Sequence, residues 1–363
     1  MQWMHNIVGS ETFPVDAAGV ALTVRQGHTQ GQDYALWMTD TLRSAIWRMP
    51  FAADGTLGRP VEVCNQFYDA FLPLPQGYAL VFYEAAQRRA VVKGYSAEHV
   101  LLWERVLPDA DSLRWDAVVH EDGSLILLYS ACNPYDAFRQ ARVARLTLSG
   151  APARPGEEGK DHGVEILFTV PDEDFPHAQL LVPQPERLVV CARSRGAATV
   201  VYFIDSKGEL LHDGLFASHP HSRWAVPLCR AALENGDVLM GGYKEDAPGC
   251  RRAWICRFDA DISALNGGVV GEVTEQAVTA LHPTADGGIL ALCPPWKILR
   301  LSPKGFVTHC LQVPEEQHTN SIAAVMPTPD GGCFIAGRSR IGAAPSKPAA
   351  WLAKVGAEEF VKV

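Results

Sequence analysis

The chain is most informative first for what it lacks. No apolar run approaches the roughly 20 residues that carry a helix across a bilayer, so a membrane-spanning helix is not expected. The opening MQWMHNIVGSETFPVD has no basic stretch followed by an apolar one, so it does not read as a secretory signal. The nine cysteines are an odd number and contain no Cys-x-x-Cys pair, which argues against both a disulfide framework and a zinc site. No segment shows the caps and 3.6-residue periodicity of a long amphipathic helix, which removes alternating α/β folds. Nor is there a GxSxG elbow, a P-loop, an HExxH pair or a dinucleotide fingerprint. Positive charge is also short. With 32 Lys and Arg against 41 Asp and Glu the formal charge is −9, a surface that repels nucleic-acid backbones and anionic membranes and favours a basic protein partner.

What is present fits a folded chain of many short strands. Of 363 residues, 47% are hydrophobic and 20% charged, and the 31 glycines and 25 prolines are spread along the chain. Such punctuation suits strands joined by frequent turns. Cysteines such as Cys191 in RLVVCA and Cys293 in GILALC sit inside apolar runs and read as reduced core residues of a cytoplasmic protein.

One phrase recurs, a polar turn ending in glycine and then a short apolar strand. Clear copies are EDGSLILL at Gly123, ENGDVLMGG at Gly236, ADGGILAL at Gly287 and PDGGCFIAG at Gly331. Weaker copies are AAGVALTV at Gly19, PQGYALVF at Gly77 and QPERLVVC, where Glu186 replaces the glycine. The spacings are 58, 46, 63, 50, 51 and 44, a mean of 52. Asp-Gly and Asn-Gly supply the positive φ that a tight hairpin needs. The last units read as four strands each: AVTALHPT, GILALC, KILRLS and FVTHCLQV, then SIAAVMPT, GCFIAG, AAWLAKV and FVKV. A four-stranded unit cannot bury both faces alone, so the units must stack radially. The expectation is all-β, a single seven-bladed β-propeller domain over residues 1–363 with four-stranded blades. Residues 3–8 are expected to share a blade with residues 351–363, because an open ring leaves strand edges unpaired. Segments 25–33, 150–164, 244–252 and 340–348 read as projecting loops.

The pattern resembles propeller families with kelch-like or DGG-type repeats, in which a glycine pair starts the second strand and a tryptophan marks the third. Trp254 in RAWICRF and Trp351 in AAWLAKV carry that resemblance, with Trp47 and Trp103 as looser matches. No Trp-Asp dipeptide closes the blades, and there is no Asp-box or full kelch signature.

In such a fold the innermost strand begins about nine residues before each repeat glycine, and its leading end opens on the channel mouth. Reading back gives Tyr68, Asp69, Arg114, Trp115, Asp116, His177, His221, Arg223, Trp224, His318 and Asn320. Trp, Tyr and Arg dominate protein-binding hot spots, because rings bury much area at little entropic cost and Arg pairs bidentately. A competing reading places a metal between His177, His221, His318 and Asp69 or Asp116, but the spacings carry no ligand signature. The expectation is therefore a non-catalytic protein-binding module with no metal and no cofactor. A composition with Arg above Lys and much Ala and Pro suggests a GC-rich bacterium. A stand-alone acidic bacterial propeller resembles, in overall character, immunity proteins that neutralise polymorphic or type VI secreted toxins, and a basic nuclease-type toxin or effector would suit its charge. The alternatives are a sugar-acting lyase or hydrolase working in the channel, and a scaffold module of a larger complex.

Overall fold

A computed structural model describes the chain outside residues 1–2, 8–16, 27–31, 41–44, 65–69, 75–76, 88, 97, 121, 133–138, 149–162, 172–176, 185, 194–198, 216–224, 234, 248–249, 260, 262–263, 270–276, 313–319 and 342–346. Among the described residues helix is confined to single 3-10 turns such as Ala85–Gln87 and Ala357–Glu359, and no helix is long and apolar enough to cross a membrane.

The chain forms two compact units, Tyr68–Pro227 and Met1–Phe67 with Leu228–Val363. The first holds three antiparallel sheets. They are β6–β9 (Ala70–Leu74, Gly77–Glu84, Arg89–Ser96, Leu101–Pro108), β10–β13 (Ala110–Val119, Leu125–Cys132, Arg139–Leu146, Val164–Thr169) and β14–β17 (His177–Pro183, Arg187–Arg193, Thr199–Asp205, Leu210–Leu215). The second unit holds β2–β5 (Ala17–Gln26, Gln32–Asp40, Ala45–Phe51, Val61–Cys64). It also holds β22–β25 (Ala280–Pro283, Ile289–Cys293, Lys297–Leu301, Val307–Gln312) and β26–β28 (Asn320–Pro327, Cys333–Ile341, Lys347–Val355). A further sheet, β18–β21 (Ala225–Ala232, Val238–Ala247, Cys250–Phe258, Ala264–Val269), starts at the unit boundary. In five of these sheets, β2–β5, β6–β9, β10–β13, β14–β17 and β18–β21, the four strands lie in chain order, first to fourth, the four-strand unit expected from the repeat.

Neighbouring sheets bury each other's faces. In the first unit one cluster joins Leu72, Val81, Val92 and Trp103 to Leu125, Leu127 and Tyr129. Another joins Val118, Ile126 and Val143 to Leu181, Val190 and Tyr202. In the second unit Tyr34 and Phe51 meet Phe334 with ring centroids 4.7 and 5.0 Å apart, edge to face. Such pairing adds to the area the rings bury. First strands also touch across sheets, β10 with β14 and β2 with β26.

The chain ends are used differently from the expectation in one respect. The N-terminal strand β1 (Trp3–Ile7) does pair with β28, Trp3 opposite Lys354 and Ile7 opposite Ala350, and so is the outer strand of β26–β28. The segment FVKV, however, is not that sheet's fourth strand. Val361–Lys362 form β29, which pairs His309 and Cys310 of β25 and makes the preceding sheet five-stranded. The outer edge beside β28 is already taken by β1, so the last residues pass to the next available edge.

Three further expectations shift. Gly19 lies inside the first strand β2, opposite Thr39, and is not a turn residue. Trp47, Trp254 and Trp351 do sit on third strands, but Trp103 sits on the fourth strand β9, opposite Gly94. Residues 244–252 are mainly hairpin, Lys244 opposite Arg252 and Glu245 opposite Arg251, and strands likewise run into both ends of 25–33 and 340–348. Most of 150–164 lies outside the described residues. Seven cysteines (64, 191, 229, 256, 293, 310 and 333) are free thiols. Burial pushes Cys256 and Cys333 up to about 12 and Cys229 higher still, so these are protonated, unreactive packing groups.

Candidate functional site

The residues singled out for the mouth fall near the beginnings of first strands, with different degrees of definition. His177 opens β14 opposite Arg193, and Asn320 opens β26 opposite Ser339. Arg114, Trp115 and Asp116 lie inside β10, four to six residues after its first residue Ala110. The displacement has a cause in the ladder. Pairing with β11 breaks between Ala110 and Trp115, and the regular register starts only at Trp115 opposite Tyr129. Tyr68, Asp69, His221, Arg223, Trp224 and His318 lie outside the described residues, just before β6, β18 and β26.

Asp116 is the member whose chemistry is visible. Its Oδ2 accepts the backbone N–H of Leu181 at 2.6 Å. That carboxylate therefore ties β10 to the first strand of the next sheet through a charge-assisted hydrogen bond. The sequence suggested a partner-facing acid at this position, and the structure gives it an internal hydrogen bond. Among the described residues no three His, Cys, Asp or Glu side chains come together as a metal site.

The opposite end of the sheets, where first and second strands turn, is defined more closely. The turns at Gly123, Gly236, Gly287 and Gly331 share one geometry. Each glycine has φ between 76° and 85°, and its amide donates to the carbonyl three residues earlier: His120, Leu233, Thr284 and Thr328. This is a type I turn closed by a left-handed residue, and a side chain there would meet backbone strain even in open space. The residue before the glycine is Asp122, Asn235, Asp286 or Asp330. Its side-chain oxygen takes the amide two residues on, at 2.8 Å from Ser124, 3.3 Å from Gly288 and 3.2 Å from Gly332. Serine or threonine hydroxyls add a second bond, Ser124 to Asp122, Thr284 to Asp286 and Thr328 to Asp330. All three aspartates lie at about 2, well below the usual carboxylate value: the Ser124 hydroxyl and amide hold Asp122 there, the Thr284 hydroxyl and then Arg300 hold Asp286, and Lys354 followed by the Thr328 hydroxyl holds Asp330.

A cation on the third strand faces these turns. Arg145, Arg257, Arg300 and Lys354 occupy one register position, each opposite the second residue of the second strand: Ile126, Leu239, Leu290 and Phe334. Arg300 and Lys354 reach their own turn's aspartate, 2.7 Å from Asp286 and 2.7 Å from Asp330, and Arg257 Nε donates to Asp237 at 2.6 Å. None of the residues read as the channel mouth lies at this end. The signal was available in the spacing of Asp-Gly and a basic residue 14 to 24 positions later.

Comparison with known proteins identifies architecture only. No protein-family description matches the chain, and no curated protein matches its sequence. Solved structures do match in fold. One is described as the AfRom2 CNH domain, at TM-score 0.53 and 10% identity, covering 97% of this chain and 99% of that one. Another is the WD40 domain of SCAP from fission yeast, at TM-score 0.50 and 8% identity, covering 99% and 88%. An α-L-arabinanase from Penicillium chrysogenum complexed with arabinobiose is more distant, at TM-score 0.48 and 9% identity, covering 99% of both chains. The chain is thus a nearly all-β, propeller-like protein.

Proposed function

We propose that the chain is one seven-bladed propeller domain that acts by binding another protein, without catalysis, through the leading ends of its first strands. The reading is supported by the recurrence in the sequence of Arg, Trp, Tyr and His at or just before the starts of first strands. His177 and Asn320 open β14 and β26, Trp115 begins the regular part of β10, and Tyr68 and Arg223-Trp224 immediately precede β6 and β18. Rings and guanidinium groups of this kind anchor interfaces. The net charge of −9 selects a basic partner. The narrowest form of the proposal is a bacterial, cytoplasmic immunity protein whose partner is a basic nuclease-type toxin.

The test pairs binding with stability. Partners captured from the native host and identified by mass spectrometry are titrated against wild type, Arg223→Ala and Trp224→Ala. Each substitution is expected to weaken binding by about 2 kcal/mol or more with an unchanged melting curve. A large loss of stability with normal binding would make Trp224 a packing residue and remove the proposed surface. Turnover of a sugar substrate that His177→Ala abolishes would replace the binding reading by an enzymatic one.

A further inference from the structure

The first unit contains a cavity of about 470 Å³ between sheets β6–β9 and β10–β13, at the turn end of β10 and away from the leading-end residues. Leu102, Trp103, Val119 and Leu148 form much of its wall, with Tyr95 beside them and Asp122, Gly123 and Arg145 at the turn. Leu102 and Val119 are exposed, 47% and 39%, whereas Trp103 is buried at 3%. The indole has room because it lies over Gly94, where a Cβ would come within 2.0 Å of the ring.

The electrostatics of this turn differ from those of its counterparts. At Asp286 and Asp330 the second carboxylate oxygen is taken by the third-strand cation. The cation in that register position here, Arg145, turns away. It pairs with Glu165 of β13 at 3.3 Å and donates to the carbonyl of Ser206 in the next sheet. Asp122 keeps the two bonds from Ser124 and a contact with His120 Nδ1 at 3.1 Å. Among the described residues no Lys or Arg pairs with it, and its side chain is 52% exposed. Since Glu165 offsets Arg145, the uncompensated charge at the cavity is one carboxylate.

We propose that this cavity is a binding site for an organic cation: a primary ammonium or guanidinium on Asp122, with its aliphatic body against Leu102, Trp103 and Val119. The ligand would fill the place that Arg300 and Lys354 fill at the equivalent turns. An aromatic ring beside a carboxylate suits such a group, because the ring face and the charge attract the cation together, while the apolar wall takes the chain that carries it.

The experiment follows the amide signals of Gly123 and Thr147 while hexylamine, hexanol or hexanoate is added to the full chain. Hexylamine is expected to saturate near about 1 mM, with hexanol weaker and hexanoate weakest. Asp122→Asn, which keeps a turn-forming residue as Asn235 does, is expected to weaken hexylamine about tenfold at a temperature where the variant is fully folded. Leu102→Ala should weaken it less. Asp286→Asn, at a turn already served by Arg300, should leave it unchanged. N-acetyl-lysine N-methylamide distinguishes the source: tighter binding than hexylamine assigns the cation to a protein side chain, weaker binding to a free amine. Equal binding of hexylamine and hexanoate, no effect of Asp122→Asn, or shifts confined to other regions would each overturn the assignment.

Discussion

The turn at residues 120–124 and the turns at 284–288 and 328–332 are built alike. The glycine φ values are 80°, 76° and 79°, each capping aspartate accepts the amide two residues on and one hydroxyl, from Ser124, Thr284 or Thr328, and a basic residue stands opposite the second residue of the following strand in each. They differ in where that basic residue goes. Arg300 and Lys354 close onto their own turns, whereas Arg145 is drawn off by Glu165 and the Ser206 carbonyl. Local geometry is thus repeated by the sequence, while the charge balance of each turn is set by what the neighbouring strand and sheet offer its cation.

The most damaging test removes the wall against which the 120–124 turn is compared. Trp103→Ala should cost about 3–5 kcal/mol, since a buried indole leaves a void beside Gly94, and calorimetry or denaturant unfolding measures it. A loss below about 1 kcal/mol would mean the two sheets do not support each other through this ring. Next come the glycines that make the turns alike. Gly123→Val and Gly331→Val should each cost about 1–2 kcal/mol, because both hold a left-handed φ. Neither meets crowding, with nothing within 4 Å of Gly123 and only ordinary contact at Gly331. Markedly unequal losses would break the equivalence.

Acid titration addresses the three aspartates together. Each has a native value of about 2 against an ordinary 3.8. Their stabilisation is therefore complete above pH 3.8 and lost as the pH falls toward 2. The triple variant Asp122→Asn, Asp286→Asn, Asp330→Asn should lose that acid limb in melting temperatures compared between pH 5 and pH 2. The smallest effect isolates the ion pair. Asp286→Asn should cost about 0.5 kcal/mol more than Asp122→Asn, as a half-exposed pair contributes little; a reversed order would show that Asp122 does have a cationic partner. Glu165→Gln sharpens the contrast, because Arg145 then has reason to turn to Asp122 and hexylamine binding should fall.

Much of this was legible in the residues. The Asp-Gly turns, the four-strand unit, the tryptophans on third strands at 254 and 351, and the pairing of the N-terminal strand with residues near 351 all follow from turn chemistry and apolar patterning. The register of the first repeat is not legible at Gly19, because a glycine inside a strand and a glycine in a turn look the same when the flanking residues are apolar on both sides. Trp103 was assigned to the wrong strand because β8 is itself apolar and Gly94, its cross-strand partner, gives no periodic signal. Asp116 reads as a surface acid in the sequence, since nothing there shows that Leu181, 65 residues later, will bring its amide to this carboxylate.

By itself the sequence determined that strands of about this length recur, where they turn and which faces are apolar, because backbone sterics and hydrophobic periodicity act within a few residues. Tertiary structure alone decided that β29 pairs with β25, that Asp116 is spent on Leu181 and that Arg145 abandons Asp122. Each of those outcomes depends on groups tens of residues away competing for the same edge, amide or charge, and such competition is settled only when the sheets are packed.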